Sequence, residues 1–246
     1  MNRSRSHRRL LGARGLAGAF ALIILALAAA GAARAEARPD LQNLPLHDTA
    51  AFRIPDQAAG LKVESQNPLS NDEMEVLWKR LVREKRWSAL FDDFKGKGYA
   101  RMEDPTRQWG MQGQIRDEKG ESANAIFCIW DFSRNGGKES GALIYALKGS
   151  DDYMAYITMP PGATDITAAS EWYVDDAGKV QEAHSWKTCM RKTLGAKCAT
   201  PCVGAIPTCL ALATLGGPFS PAAFIGCLAV ICGSCLFIVN LICAAG

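Results

Sequence analysis

From residue 199 to residue 246 no side chain carries a charge, and this stretch with the ten residues before it holds eight of the nine cysteines. A soluble fold rarely leaves 48 residues uncharged, so the segment must be packed, cross-linked or placed in lipid. The cysteines are Cys189, Cys198, Cys202, Cys209, Cys227, Cys232, Cys235 and Cys243. An even number at this density in an exported chain implies disulfides, and eight cysteines allow 105 pairings. Zinc is the first rival, because Cys198-x-x-x-Cys202 and Cys232-Gly-Ser-Cys235 have ligand-like spacing. Thiolate zinc sites, however, belong to polar surroundings in reducing compartments. A redox Cys-x-x-Cys lacks the βαβ pattern that should surround it. At about 100° per residue, Cys227, Cys232, Cys235 and Cys243 lie within roughly 160° of a helix, and Cys198, Cys202 and Cys209 within about 40°. Two apolar helical segments joined at residues 216–221 would then face their cysteines inward. The outside of such a bundle is Leu, Ile, Val and Phe, suited to lipid or to a covering partner. A plain anchor is the second rival, since residues 222–246 are long enough to span a bilayer. An anchor needs no cysteines, however, and no basic stop follows.

The first residues explain why disulfides are expected. Arg3, Arg5, Arg8, Arg9 and Arg14 precede an uncharged run over residues 15–33, and Ala33-Arg34-Ala35 places small residues where a signal peptidase reads. This is the order of a secretory signal, with cleavage after Ala35. Arg8-Arg9-Leu10-Leu11 leaves the twin-arginine route open beside the general one, and an uncleaved N-terminal anchor is the alternative to cleavage. Removing 35 residues turns the formal charge from +3 to −3, with 22 basic against 25 acidic residues. Bulk charge therefore gives no reason to expect nucleic acid as a partner.

Between signal and tail the chain reads as a soluble domain. Residues 36–69 are rich in Pro, Asn, Gln and Asp and read as a linker or an extended lead-in. Ser70-Asn71-Asp72-Glu73 fits a capping box. Met74, Leu77, Trp78 and Leu81, then Trp87, Leu90, Phe91 and Phe94, recur at helical spacing and predict two short helices or one kinked one, ended by Gly96 and Gly98. The basic run Lys79, Arg80, Arg83, Lys85 and Arg86 reads as a solvated face, with a membrane-surface or anionic-partner role as the alternative. From residue 108 apolar runs (109–115, 123–132, 142–147, 153–159, 166–174 and 179–186) alternate with turn signals such as Asn135-Gly136-Gly137, which predicts an antiparallel meander. The fold class expected is α+β: a meander sheet with N-terminal helices over one face, followed by a Cys-rich apolar helical tail. The divisions are residues 1–35, 36–69, 70–187 and 188–246.

Catalytic signatures are absent. His47 and His184 are the only histidines after the signal, and no local motif pairs them with a nucleophile. The carboxylate pairs Asp92-Asp93, Asp151-Asp152 and Asp175-Asp176 are read as turn residues, with a calcium role as the minor alternative. Cys128 sits in an apolar run and reads as a small buried hydrophobe. No enzyme activity, cofactor or metal is expected.

Arg8-Arg9, a helix ending in Lys97-Gly98-Tyr99, a strand series to Trp186 and a tail from Cys189 to Cys243 together resemble the halocin-type Cys-rich bacteriocin precursors. That resemblance implies a fused immunity or pro-segment that binds and neutralises a C-terminal toxin peptide. The tail departs from the family in having almost no polar groups after Pro218. The expectation is an exported antimicrobial precursor, secreted or membrane-associated outside the cytoplasm. Its tail would act on membrane lipid, and its α+β domain would shield the tail by intramolecular contact. The alternative is an exported binding module tethered by a hydrophobic anchor.

Overall fold

The computed structural model describes residues 61–243, apart from 165, 176, 184–187, 191–192, 194–197, 199 and 216–217. The expected signal with Ala33 and Ala35, the lead-in up to residue 60, and both His47 and His184 lie outside the described residues.

The sheet is an antiparallel meander of eight strands: β1 (Lys62–Pro68), β2 (Ala100–Arg101), β3 (Gln108–Arg116), β4 (Ser122–Arg134), β5 (Glu139–Lys148), β6 (Asp151–Thr158), β7 (Ser170–Val174) and β8 (Val180–Ala183). Neighbours from β3 to β8 follow chain order, β1 pairs with the outer side of β3, and β2 pairs with the end of β4. Ile129 of β4 lies opposite Trp109 of β3 and Ile144 of β5, which fixes the register at the centre. Turn chemistry sets the hairpins. Asn135, Gly136 and Gly137 all have positive φ between β4 and β5, a conformation that Gly and Asn adopt at least cost. Between β7 and β8 the Asp175 carboxylate accepts from the Ala177 and Lys179 N–H groups.

One face of the sheet is covered by α1 (Asn71–Leu81) and α2 (Ser88–Gly96), linked by a 3-10 turn at Lys85–Trp87. The capping box starts α1: Ser70 accepts from the Glu73 N–H at 3.3 Å, and the Glu73 carboxylate accepts from the Ser70 N–H at 2.7 Å. Met74, Leu77 and Leu81 of α1, with Leu90 and Phe94 of α2, bury against Cys128, Trp130, Leu143, Tyr145 and Tyr156. Phe94 stacks on Tyr156 at 4.3 Å between ring centres.

The other face is covered too. Met111, Phe127, Ile129, Ile144 and Ile157 point away from α1 and α2 and share a core with the tail. The tail folds as α3 (Thr200–Ala213), α4 (Pro221–Cys232) and α5 (Ser234–Cys243). The sheet is thus the middle of three layers, which explains why β4 and β5 are apolar at nearly every position instead of every second one. The helices expected over one face are there, and the tail covers the other.

Three local expectations change. β1 lies in the stretch read as lead-in; its sequence is polar because it is an edge strand, with its residues mostly half-buried or exposed. Residues 166–168 form a 3-10 turn ahead of β7 instead of its first residues. Asp92 and Asp93 lie inside α2, and Asp151 and Asp152 open β6, so turn chemistry explains only Asp175 of the positions described.

Candidate functional site

The cysteines of the tail form a ladder. Cys209 is bonded to Cys227, Cys202 to Cys232, Cys198 to Cys235 and Cys189 to Cys243. Sequence separations of 18, 30, 37 and 54 nest one bridge inside the next, the order that a hairpin of antiparallel segments requires. Pro221 opens α4 at a position where its missing N–H is no loss, behind the cap residue Ser220. Gly233, with φ of 54°, breaks the run between α4 and α5, so residues 222–243 form two helices instead of one. No helix among the described residues is long and apolar enough to cross a membrane.

All eight predicted cysteines are paired within the tail, and none reaches the domain. Cys128, the ninth, is free and fully buried on the opposite face of the sheet, where burial pushes its thiol pKa well up. Four disulfides fit an oxidising compartment. They also make the tail covalently self-contained: only the backbone before Cys189 ties it to the sheet.

The tail has two unlike surfaces. Its inner side, including Phe219, Ile225, Leu228, Leu236 and Phe237, is buried on the sheet. Alanines at 125, 142 and 146 keep the sheet low there, and Gly226 lets α4 approach the Trp109 ring, where a Cβ would stand 3.0 Å from Cδ1. The outer side leaves Val203, Leu212, Leu215, Val230 and Ile231 exposed, Leu215 at 69% and Val230 at 59%. Leu215 and Val230 are thus large apolar side chains that face water on the tail.

A cluster of polar contacts lies between the sheet and the start of α4. Asp131, within β4, is 1% exposed and faces the start of α4. Its Oδ1 accepts from the Ala222 N–H at 2.9 Å, and Ser220 Oγ donates to its Oδ2. Ser220 Oγ in turn accepts from the Ala223 N–H at 3.0 Å. Arg107 stands 3.8 Å from Asp131 Oδ2 and donates to the Pro218 carbonyl at 3.4 Å. Burial pushes the Asp131 pKa up to about 7, against the opposing pull of Ser220, Ala222 and Arg107. Sequence reasoning passed over this residue, although an acid inside the apolar run 123–132 was the available signal.

The remaining charged clusters have structural partners. Arg86, expected on a solvated face, pairs with the buried Asp152, which also accepts from Tyr145 at 3.3 Å. Lys97 pairs with Asp93 at 2.7 Å and lies 3.6 Å over the Trp172 ring. Among the described residues no group of His, Cys, Asp and Glu is placed to hold a metal ion. No family model, curated protein or solved structure matches the chain.

Proposed function

We propose that the chain is an exported antimicrobial precursor of the halocin-type organisation: the tail is a membrane-active peptide, and the α+β domain is its shield. The observation that carries this reading is the covalent independence of the tail. All four bridges lie between Cys189 and Cys243, while the tail's inner surface is held on the sheet by burial and a few hydrogen bonds. One cut between Ala183 and Cys189 would therefore free a fully bridged peptide, whereas a cut between Cys189 and Cys198 would leave both pieces joined through Cys189–Cys243. Freed of the sheet, residues such as Phe237 and Leu228 would expose an apolar surface that water does not tolerate and a bilayer accepts. Helices of 14, 12 and 10 residues are short for a bilayer core, so the peptide would first lie in the interface. The same lengths count against the anchor reading, which wants one uninterrupted span. The test is growth inhibition by the intact chain and by the same chain cut before Cys189. Inhibition only after cutting is expected; equal inertness of both forms against a broad panel of cells would argue for a tethered binding module.

A further inference from the structure

We propose that Asp131 and Arg107 form the recognition site through which the sheet holds the tail, that its ligand is the Ser-capped N-terminus of α4, and that this grip tightens in acid and loosens as pH rises. The proposal rests on the reading of the domain as a shield for the tail.

The geometry assigns each group a role. The first N–H groups of a helix have no partner within it and carry its positive end. Here Asp131 takes the Ala222 N–H and the Ser220 hydroxyl, while Ser220 takes the Ala223 N–H. Arg107 holds the neighbouring carbonyl of Pro218, so the turn before the helix is read as well. The bonds from Ser220 and Ala222 to Asp131, and from Arg107 to Pro218, join the sheet domain to the tail beside a large apolar core. Apolar burial is non-directional and leaves register open, whereas a buried carboxyl matched to one helix end fixes where the hairpin sits.

The groups facing Asp131 are the Ser220 hydroxyl and Ala222 N–H from α4, and the Arg107 guanidinium from the turn before β3. Arg107 is the only charge acting on it among the described residues. Burial raises the Asp131 pKa from its ordinary 3.8 to about 7, and the start of α4, with Ser220 and Ala222 bonded to the carboxyl, is part of what covers it. The docked state therefore holds a proton that the opened state gives up between those two values. The stabilisation is fully present below about 4 and is lost as pH rises through about 7, by up to about tenfold in affinity per pH unit.

The test uses the full chain, folded and then cut at a protease site inserted between Ala183 and Cys189. Tail release into detergent micelles is followed by size exclusion, without bilayers, so its outcome does not depend on whether the peptide is toxic. Release should be at least tenfold faster at pH 8.5 than at pH 5.5. Asp131→Asn copies the neutral acid and should release slowly at both values. Ser220→Ala should release about 3- to 30-fold faster at both values, from loss of the cap. Arg107→Gln removes the charge that lowers the pKa and should move the midpoint upward. Carbon NMR of the Asp131 carboxyl in the uncut chain gives an independent reading, with titration near 7 expected. Release that ignores pH, an Asp131→Asn profile that still follows pH, or titration of Asp131 near 4 would each overturn the proposal.

Discussion

Replacing Gly226 by Leu should prise the tail off the sheet without disturbing its bridges. A Cβ at residue 226 would lie 3.0 Å from Trp109 Cδ1, 3.4 Å from Cγ and 3.6 Å from Nε1, so the added side chain meets the indole directly. Trp109 is partly buried with its ring 6.1 Å from that of Phe127, so moving it disturbs that packing. Overpacking of this kind costs about 1–3 kcal/mol. That cost falls on the contact between tail and sheet, which weakens by about 5- to 150-fold. Gly226→Ala is the control: it gains about 1 kcal/mol of helix propensity against a shift of a few tenths of an ångström in the ring. It should be close to neutral. The assay is dye release from vesicles by the uncut chain, with urea unfolding in parallel. Gly226→Leu should leak dye uncut and unfold at lower urea, with four bridges intact by mass. A variant as silent and as stable as the parent would show that α4 does not depend on close approach to Trp109.

Alkylation of the native chain should label no tail thiol, with Cys128 protected by burial, and reduction should expose the other eight; removing Cys209–Cys227, a loop of 18 residues, should destabilise the tail by about 3 kcal/mol in thermal melts. Gly113→Ala would put a Cβ 2.1 Å from the Ser65 carbonyl oxygen, a backbone atom that cannot swing aside, so β1 should detach, read as fast hydrogen exchange over residues 62–68. Burial pushes the Asp152 pKa up to about 6, against the pull of Arg86, so its contribution is present below about 4 and lost as pH rises through about 6. Asp152→Asn should flatten that part of the stability profile, worth about 1–3 kcal/mol in urea melts at pH 4 and 7.

What could be read from the sequence depended on how local its cause was. The capping box at Ser70, the Asn135-Gly136-Gly137 turn and the two helices before Gly98 are set by neighbours in the chain, and all are found as expected. Cysteine spacing foretold a hairpin whose apex is near residues 216–221, and α3 and α4 flank that stretch. The pairings themselves were open, because only the packed hairpin chooses among 105 of them. Contacts between distant segments were the harder part. β1 carries no alternation worth the name, since an edge strand needs little apolar surface. The second covered face was written in the unbroken apolar runs of β4 and β5, which alternate no more than parallel core strands do. Asp131 is an acid inside an apolar run, and nothing local to it shows that the cap of a helix N-terminus, 89 residues later, binds it.

The central claim is that the sheet hides a peptide which is membrane-active once free. Its most direct test is a time course in which dye-loaded vesicles, the intact chain with a protease site inserted before Cys189, and the protease are mixed, and cleavage and leakage are recorded together. Leakage should be absent before protease is added, should rise with the cut fraction, and should be suppressed by excess cut-free chain carrying Gly226→Ala only as far as that chain exchanges tails, which is to say hardly at all. Complete cleavage and tail release with vesicles still sealed would contradict the account.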